Sequence, residues 1–522
     1  MTALLPAFAR RFVAFLLLLG FAATARADQM DLSAAARSVV RVALVATDGA
    51  EAYFVGHGSG VVVAPDKVLT NAHVVELARE EKNIVIGIVP SEGKKSYGGR
   101  IIAYSPGNDL ALIQMDEGRL PPASFYAGAV TDGQHVTAIG FPGTVDRAQG
   151  LGLKEMVEPM NPVKTGGNVS AGRSGKSYDT VLHTAPLASG NSGGPLVDDC
   201  GRVLGVNSFG SISDGSDAEF GFAVSNREIA SFLRQAGVTF LRTSAPCRSL
   251  ADIDEAEARR AAQQAATQDA AARASAAARD AALSKARDAA EQDVISAREN
   301  VMALAAVLLA LAVLAAGAAG LNYTQGKQRP TIWFGVGGGV LLIGALLAFV
   351  LRPSFSSVED RMAAASVDTG EVTTAQTVGY AAAGDNLCRI DEARSRITVS
   401  DTTDVPLNWT ESGCANGREQ YLPDGTEWTR VNSTADDAAI SVSRFDPGTG
   451  TLRNERYLAD ADTLERARAI RARTDAGACT TDAAAMAKLK QMQGDLRAIL
   501  PLQPNERLVY QCAKGKADTS AP

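Results

Sequence analysis

Three short segments hold the residue types that nucleophilic catalysis requires. Gly190-Asn191-Ser192-Gly193-Gly194-Pro195 presents one serine in a turn of small residues, and flanking glycines let another backbone come close. Upstream, Thr70-Asn71-Ala72-His73-Val74-Val75 supplies a histidine, and Asn108-Asp109-Leu110-Ala111-Leu112-Ile113 supplies an aspartate. A hydroxyl is a poor nucleophile at neutral pH until a neighbouring base takes its proton, and an anion behind that base orients it. Ser192, His73 and Asp109 are therefore the candidate nucleophile, base and orienting carboxylate. Asp66, Asp116 and Asp132 compete for the last role; Asp109 is preferred because an apolar strand follows it at once. His57, His135 and His183 lack such a setting and read as structural.

Such residues need a rigid scaffold, and the sequence around them reads as strands. From about Ser38 to Leu241, short Val- and Ile-rich runs recur between Gly, Pro, Asn and Asp, the pattern of an all-β sandwich or barrel. Val39–Val45, Gly60–Val63, Ile84–Val89, Val136–Ile139 and Val203–Val206 are the clearest runs, and Asn226–Ala236 reads as a closing helix.

The chain has 522 residues, enough for several domains. Its net charge of −7 argues against a nucleic-acid partner, which calls for a basic face. Arg10 and Arg11, the apolar run Phe12–Phe21 and Ala25-Arg26-Ala27 read as a secretory signal cleaved before Asp28. Export places the six cysteines where disulfides persist. Cys200 and Cys247 form one group, and Cys388, Cys414, Cys479 and Cys512 form another with three possible connectivities. A Cys200–Cys247 bridge would contribute up to roughly 4 kcal/mol in the chain-entropy model. There is no Cys-x-x-Cys and there are only four histidines, so neither a metal nor a cofactor is expected.

Beyond Ala251 the composition changes. Alanine with Arg, Asp, Glu, Gln and Lys, free of Gly and Pro, runs to about Asn300, which predicts one long solvated helix. Two uncharged apolar stretches follow, Val301–Leu321 and Thr331–Leu351, each about 30 Å long as a helix and able to cross a bilayer. The loop between them carries Lys327 and Arg329 and no acid, as a cytoplasmic turn does. Gly335 and Gly339 make a GxxxG expected to pack on the first span. Near the C-terminus, Ala439–Phe445 and Thr451–Leu458 read as a hairpin and Ala483–Leu500 as a helix.

Four segments make the first region resemble the trypsin-like serine peptidases, most closely the HtrA/Deg branch. They are Gly58-Ser59-Gly60-Val61-Val62 with Leu69–Val75; Asn108–Gln114; Val136-Thr137-Ala138-Ile139-Gly140-Phe141-Pro142; and His183-Thr184-Ala185 through Gly190–Leu196 with Val203–Asn207 and Gly221-Phe222-Ala223-Val224. The chain order His, Asp, Ser is that of chymotrypsin-like enzymes. The resemblance covers about residues 35–245, and no PDZ domain is recognisable after it. It implies a double β-barrel with the site in the cleft between barrels. Ser192 is then the nucleophile, His73 the general base and acid, and Asp109 its orienting partner, with the N–H groups of Gly190 and Ser192 as the oxyanion hole. It also assigns Pro186, Phe209, Gly221 and Ala223 to the substrate pocket, with a small or medium apolar preference. Asn191 replaces the aspartate that digestive enzymes pair with a freed N-terminus, so activation by that cleavage is not expected. HtrA-like proteins share this Asn and complete the oxyanion hole by loop rearrangement, which implies a conformationally gated site.

The expected organisation is a signal peptide (1–27), an all-β chymotrypsin-like protease domain (28–247), an Ala-rich helix (248–299), a transmembrane hairpin (300–352), a linker (353–380) and a small disulfide-containing α+β domain (381–522). The leading functional reading is a serine endopeptidase held in a bacterial inner membrane, multi-pass, with protease and C-terminal domains on the periplasmic or exterior side. Polypeptide substrates and the bilayer are its expected partners, with oligomerisation through the stalk or membrane helices as a further expectation. The alternatives are a latent protease-fold binding or sensory module and a structural subunit of a membrane complex.

Overall fold

The computed structural model describes residues 29–49, 51–174, 178–211, 219–352, 383–400, 402–433, 438–473 and 479–515. The expected signal peptide and the 353–380 linker lie outside the described residues. The chain divides into two units: residues 1–257 with 378–522, and residues 258–377.

In the first unit, strands β1 (Val39–Thr47), β2 (Ala52–Ala64), β3 (Lys67–Thr70), β4 (Ile84–Pro90), β5 (Tyr97–Ser105) and β6 (Leu110–Met115) close into a barrel in the order β1-β2-β3-β6-β5-β4. Alternation does the sorting, because successive side chains of a strand point to opposite faces. In β1, Val40, Val42 and Leu44 fill this barrel with Val62, Val68, Ile88 and Ile113. Val39 joins a different core, and Arg41, a charged residue in an apolar run, is fully buried.

The second barrel is built from β7 (Phe125–Tyr126), β8 (His135–Gly140), β9 (Val163–Ser174), β10 (Asp179–His183), β11 (Pro195–Val197), β12 (Val203–Gly210), β13 (Gly221–Ser225) and β14 (Arg242–Thr243). The order is β11-β8-β9-β10-β13-β12-β7-β14, and pairing of β11 with β12 closes the ring. Val39, Val61, Leu69 and Leu110 from the first barrel pack with Phe125, Ile139, Val206 and Val224 from the second. This shared core fixes one barrel against the other, and the helix Asn226–Gln235 seals it with Ile229, Phe232 and Leu233.

The C-terminal region of the same unit is a nine-stranded sheet carrying the helices Ala461–Ala472 and Ala483–Ala498. Its central strands Gly384–Ile390 and Glu506–Lys514 pair directly and carry the Cys388–Cys512 bridge. Cys414 bonds Cys479, and Cys200 bonds Cys247. This sheet docks on the peptidase side through buried polar contacts. Arg396 pairs with Asp31 of the N-terminal helix Gln29–Ala36. Asn505 donates to the other Asp31 oxygen at 2.9 Å, and Arg396 Nε donates to the Arg248 carbonyl at 2.9 Å.

The Ala-rich helix and the first apolar stretch are one uninterrupted element, Leu250–Thr324, which runs on into the second unit and is followed after a short turn by Gln328–Val350. Both are long and apolar enough to cross a membrane, with mean hydropathy reaching 2.6 and 2.2. Leu314, Ile332, Trp333 and Val350 are each more than 60% exposed, a surface that water does not favour. The GxxxG expectation is corrected here. Nothing lies within 4 Å of a Cβ placed at Gly335 or Gly339, whereas Gly338 abuts Ala315 and the Ala312 carbonyl. The two glycines of the motif face away from the contact, and Gly338, one of the three residues between them, makes it.

Candidate active site

Asp109 follows a 3₁₀ turn, Pro106–Asn108, and takes a left-handed backbone (φ 52°), a conformation aspartate tolerates better than most residues. Asn71, fully buried, holds it there by donating Nδ2–H to the Asp109 carbonyl at 2.8 Å. His73 lies in the first turn of the helix Ala72–Glu80. Its Nδ1 is 3.0 Å from both Asp109 carboxylate oxygens, and its backbone N–H donates to Oδ1 at 3.2 Å. Nδ1 therefore carries a proton, which leaves Nε2 as the nitrogen free to act as base. Burial alone would raise the Asp109 pKa, but hydrogen bonds from His73 and Ser208 outweigh it and hold the carboxyl below its ordinary range.

Ser192 comes from the second barrel. The turn that presents it is locked on both sides: Ser59 N–H donates to the Ser192 carbonyl, Gly193 N–H to the Asn207 carbonyl and Asn207 N–H to the Gly194 carbonyl, each at 2.8 Å. Gly193 (φ 88°) is obligatory, since a Cβ there would lie 2.0 Å from the Ser59 carbonyl oxygen. Ser192 Oγ donates to the Ser208 carbonyl at 2.8 Å. Ser208, from β12, in turn donates its hydroxyl to Asp109 Oδ2. One residue thus joins the serine to the carboxylate that holds the histidine.

The preceding peptides are equally fixed. Gly143 N–H donates to the Ser189 carbonyl at 2.8 Å, and Ser59 Oγ donates to the Gly190 carbonyl at 2.6 Å while accepting from Phe141 N–H. The backbone N–H groups of Gly190 and Ser192 donate to no backbone acceptor among the described residues. Asn191 is buried with its Oδ1 against Gly140.

The residues assigned to a substrate pocket occupy different surroundings. Ala223 lies in the second-barrel core with Val181 and Leu204. Gly221 rests on the buried His183 ring, where a Cβ would fall 2.4 Å from Cε1. Phe209 is exposed and stacked on Phe222, with ring centroids 4.7 Å apart. Pro186 is exposed, its carbonyl accepting from Thr165 Oγ1. Burial depresses His183 to a pKa of about 4, so it is neutral near pH 7. His135 forms a surface pair with Asp199 at 2.6 Å. A cavity of about 630 Å³ opens elsewhere, beside the N-terminal helix and the C-terminal sheet, and none of the site residues lines it. No group of His, Cys, Asp or Glu among the described residues is arranged to hold a metal.

Sequence reasoning missed Ser208 and Ser59, whose roles come from contacts across the cleft, and Asn71, whose role comes from a contact within the first barrel. It also passed over Arg41, whose signal is a single arginine inside Val39–Val45.

Two β-barrels hold these residues between them, and the family model described as a trypsin-like peptidase domain matches residues 58–206. This region is similar to serine proteases of mycobacterial and periplasmic origin. It is 33% identical over 183 residues to the serine protease Rv3671c of Mycobacterium tuberculosis, covering 35% of this chain and 42% of that one. It is 34% identical over 196 residues to the periplasmic serine endoprotease DegP of Escherichia coli, covering 36% and 37%. The chain thus spans less than half the length of these relatives. A crystal structure of the Rv3671c protease in its active form aligns at 26% identity with a TM-score of 0.32, covering 43% of this chain and 91% of that one.

Proposed function

We propose that the protein is a serine endopeptidase tethered to a membrane. The observation that carries this reading is Ser208, whose carbonyl accepts from Ser192 and whose hydroxyl donates to the carboxylate holding His73. In the proposed reaction Ser192 Oγ rotates from Ser208 to His73 Nε2, a change between staggered wells. Oγ then bonds to the scissile carbonyl carbon as His73 takes its proton. The C–N bond breaks, and the leaving amine receives that proton. Water repeats the sequence on the acyl-enzyme and regenerates Ser192. Asp109 keeps His73 in the productive tautomer and stabilises the imidazolium. The N–H groups of Gly190 and Ser192 receive the oxyanion, each worth about 10²–10³ in rate in comparable enzymes.

Substrates are proposed to be polypeptides. The two apolar helices support a membrane hairpin, with the peptidase and C-terminal sheet together on the periplasmic or exterior side of a bacterial inner membrane. The Ser192–Ser208 hydrogen bond favours a second feature, a resting site that engages His73 only on productive binding.

The test is labelling of the detergent-solubilised protein by a fluorophosphonate, beside Ser192→Ala. Labelling that disappears in the variant supports the enzyme. A wild type that stays unlabelled across lipid, pH and peptide conditions returns the latent-scaffold reading. Protease protection of the C-terminal sheet in spheroplasts would overturn the topology.

A further inference from the structure

We propose that His57 is a positioning residue for the Gly190 oxyanion loop, acting as an N–H donor that fixes the Phe141 carbonyl against which Gly190 rests. The proposal rests on the reading of Gly190 given above.

His57 lies on β2, beneath the loop. Its Nε2 is 2.8 Å from the Phe141 carbonyl oxygen. A carbonyl only accepts, so Nε2 carries the proton. Gly190 (φ 102°) is packed directly on this contact: a Cβ there would lie 2.2 Å from Phe141 O, 2.7 Å from His57 Nε2 and 3.0 Å from Gly143 N. Gly143 N–H holds the Ser189 carbonyl. In a trans peptide the following N–H points the opposite way, so this bond sets the direction of the Gly190 N–H. His57, Phe141 and Gly143 together form the floor that aims the donor.

The floor is itself anchored by a buried charge. Arg41 pairs with Asp146 Oδ1 at 2.8 Å, donates to the Met156 carbonyl at 3.0 Å and stacks over the Phe141 ring at 4.8 Å. It thereby pins the whole segment from Phe141 to Met156 to β1. Asp146 Oδ2 lies 3.2 Å from His57 Nε2 and makes no hydrogen bond. The charged groups facing His57 are Arg41 on β1 and Asp146 and Arg147 on the helix Gly143–Gln149. Burial, first, and the two arginines disfavour the imidazolium, while the Phe141 carbonyl and Asp146 favour it; the net effect lowers the His57 pKa from its ordinary value. At neutral pH the ring is neutral and its single Nε2–H serves Phe141. On protonation the ring becomes a cation beside an uncommitted carboxylate oxygen, which competes for the same N–H and loosens the floor.

Three variants of the full-length protein in detergent separate this role from packing. His57→Gln keeps a side-chain N–H donor without titrating in this range. It should retain kcat at pH 8 within about threefold while making the acid limb of the kcat–pH profile shallower than in wild type. His57→Leu keeps the volume and loses the donor. It should lower kcat about 10- to 100-fold with KM little changed, a fraction of a full oxyanion-donor loss. A peptide boronate, which fills the oxyanion hole, should bind His57→Leu more weakly by a similar factor. Gly190→Ala, which intrudes on the floor, should lower both kcat and boronate affinity further.

Equal kcat in His57→Leu and wild type overturns the proposal, as does an acid limb in His57→Gln identical to that of wild type. If His57→Leu does not fold, the His57→Gln acid limb decides. A wild type that no fluorophosphonate labels defeats the peptidase reading first, and that result is distinct from a labelled wild type with unaffected variants.

Discussion

Two of the buried arginine–aspartate pairs in the first unit, Arg396–Asp31 and Arg41–Asp146, differ in how completely they are satisfied. Arg396–Asp31, between the C-terminal sheet and the N-terminal helix, is saturated. Asp31 accepts from both Arg396 and Asn505, and Arg396 also reaches the carbonyls of Arg248 and Asn505. Arg41–Asp146, under the cleft, leaves Arg41 Nε and Asp146 Oδ2 without hydrogen bonds, with a histidine beside the free oxygen. A pair with no spare donor or acceptor has one arrangement and joins domains. A pair with spare capacity next to an ionisable ring has a second arrangement within reach, and it sits where the chemistry is proposed.

The largest effect expected sets the scale for both pairs. Asp109→Asn should lower kcat by about 10⁴-fold at unchanged stability, because it favours the wrong His73 tautomer; stopped-time peptide hydrolysis reads it. The pairs themselves come next. Asp31→Ala and Asp146→Ala each leave an arginine buried without its anion, a cost of about 3–5 kcal/mol in denaturant unfolding. Only Asp146→Ala should also lower kcat per active site, while Asp31→Ala should expose the segment between the domains to limited proteolysis. Equal kcat losses in the two would break the comparison.

His183 is the control for an imidazole whose shift comes chiefly from burial. Its pKa falls from 6.5 to about 4, so the unfolded chain binds the extra proton between these values. Stability is then full above about pH 6.5 and falls as the pH drops toward 4, by about 3 kcal/mol for a shift of this size. His183→Gln should flatten that slope in unfolding curves without altering the acid limb of kcat. Smallest is Ser208→Ala, which removes one hydrogen bond to a charged group, worth about 1.5–3 kcal/mol. A loss of roughly 10- to 100-fold in kcat/KM is expected; an unchanged value would mean that Asp109 is oriented by His73 and Asn71 alone.

Much of the candidate site was readable because its parts are local. The small-residue turn around Ser192, the Asn-Ala-His that opens a helix and the aspartate ahead of an apolar strand each announce themselves within six residues. The strand runs were readable for the same reason, since alternation of apolar side chains needs no partner to be seen. Ser208, Ser59 and Asn71 were not, because an ordinary polar residue gains its role only from the atom it meets in the folded chain, across the cleft for the two serines and from a neighbouring strand's loop for Asn71. The GxxxG failed on rotation: spacing names a helix face but not the face that a neighbour touches.

The sequence by itself determined the nucleophile, base and carboxylate candidates, the β character of the region that holds them, the two apolar helices and the Cys200–Cys247 grouping, all carried by short motifs or composition. Only the tertiary structure decided that Cys388 bonds Cys512 and Cys414 bonds Cys479, and that Asp31 meets an arginine 365 residues away. It also turned His57 from a bland histidine into the floor of the proposed oxyanion loop. Such contacts depend on which strands close the barrels and which faces then meet, and no local pattern encodes the partner of a buried charge.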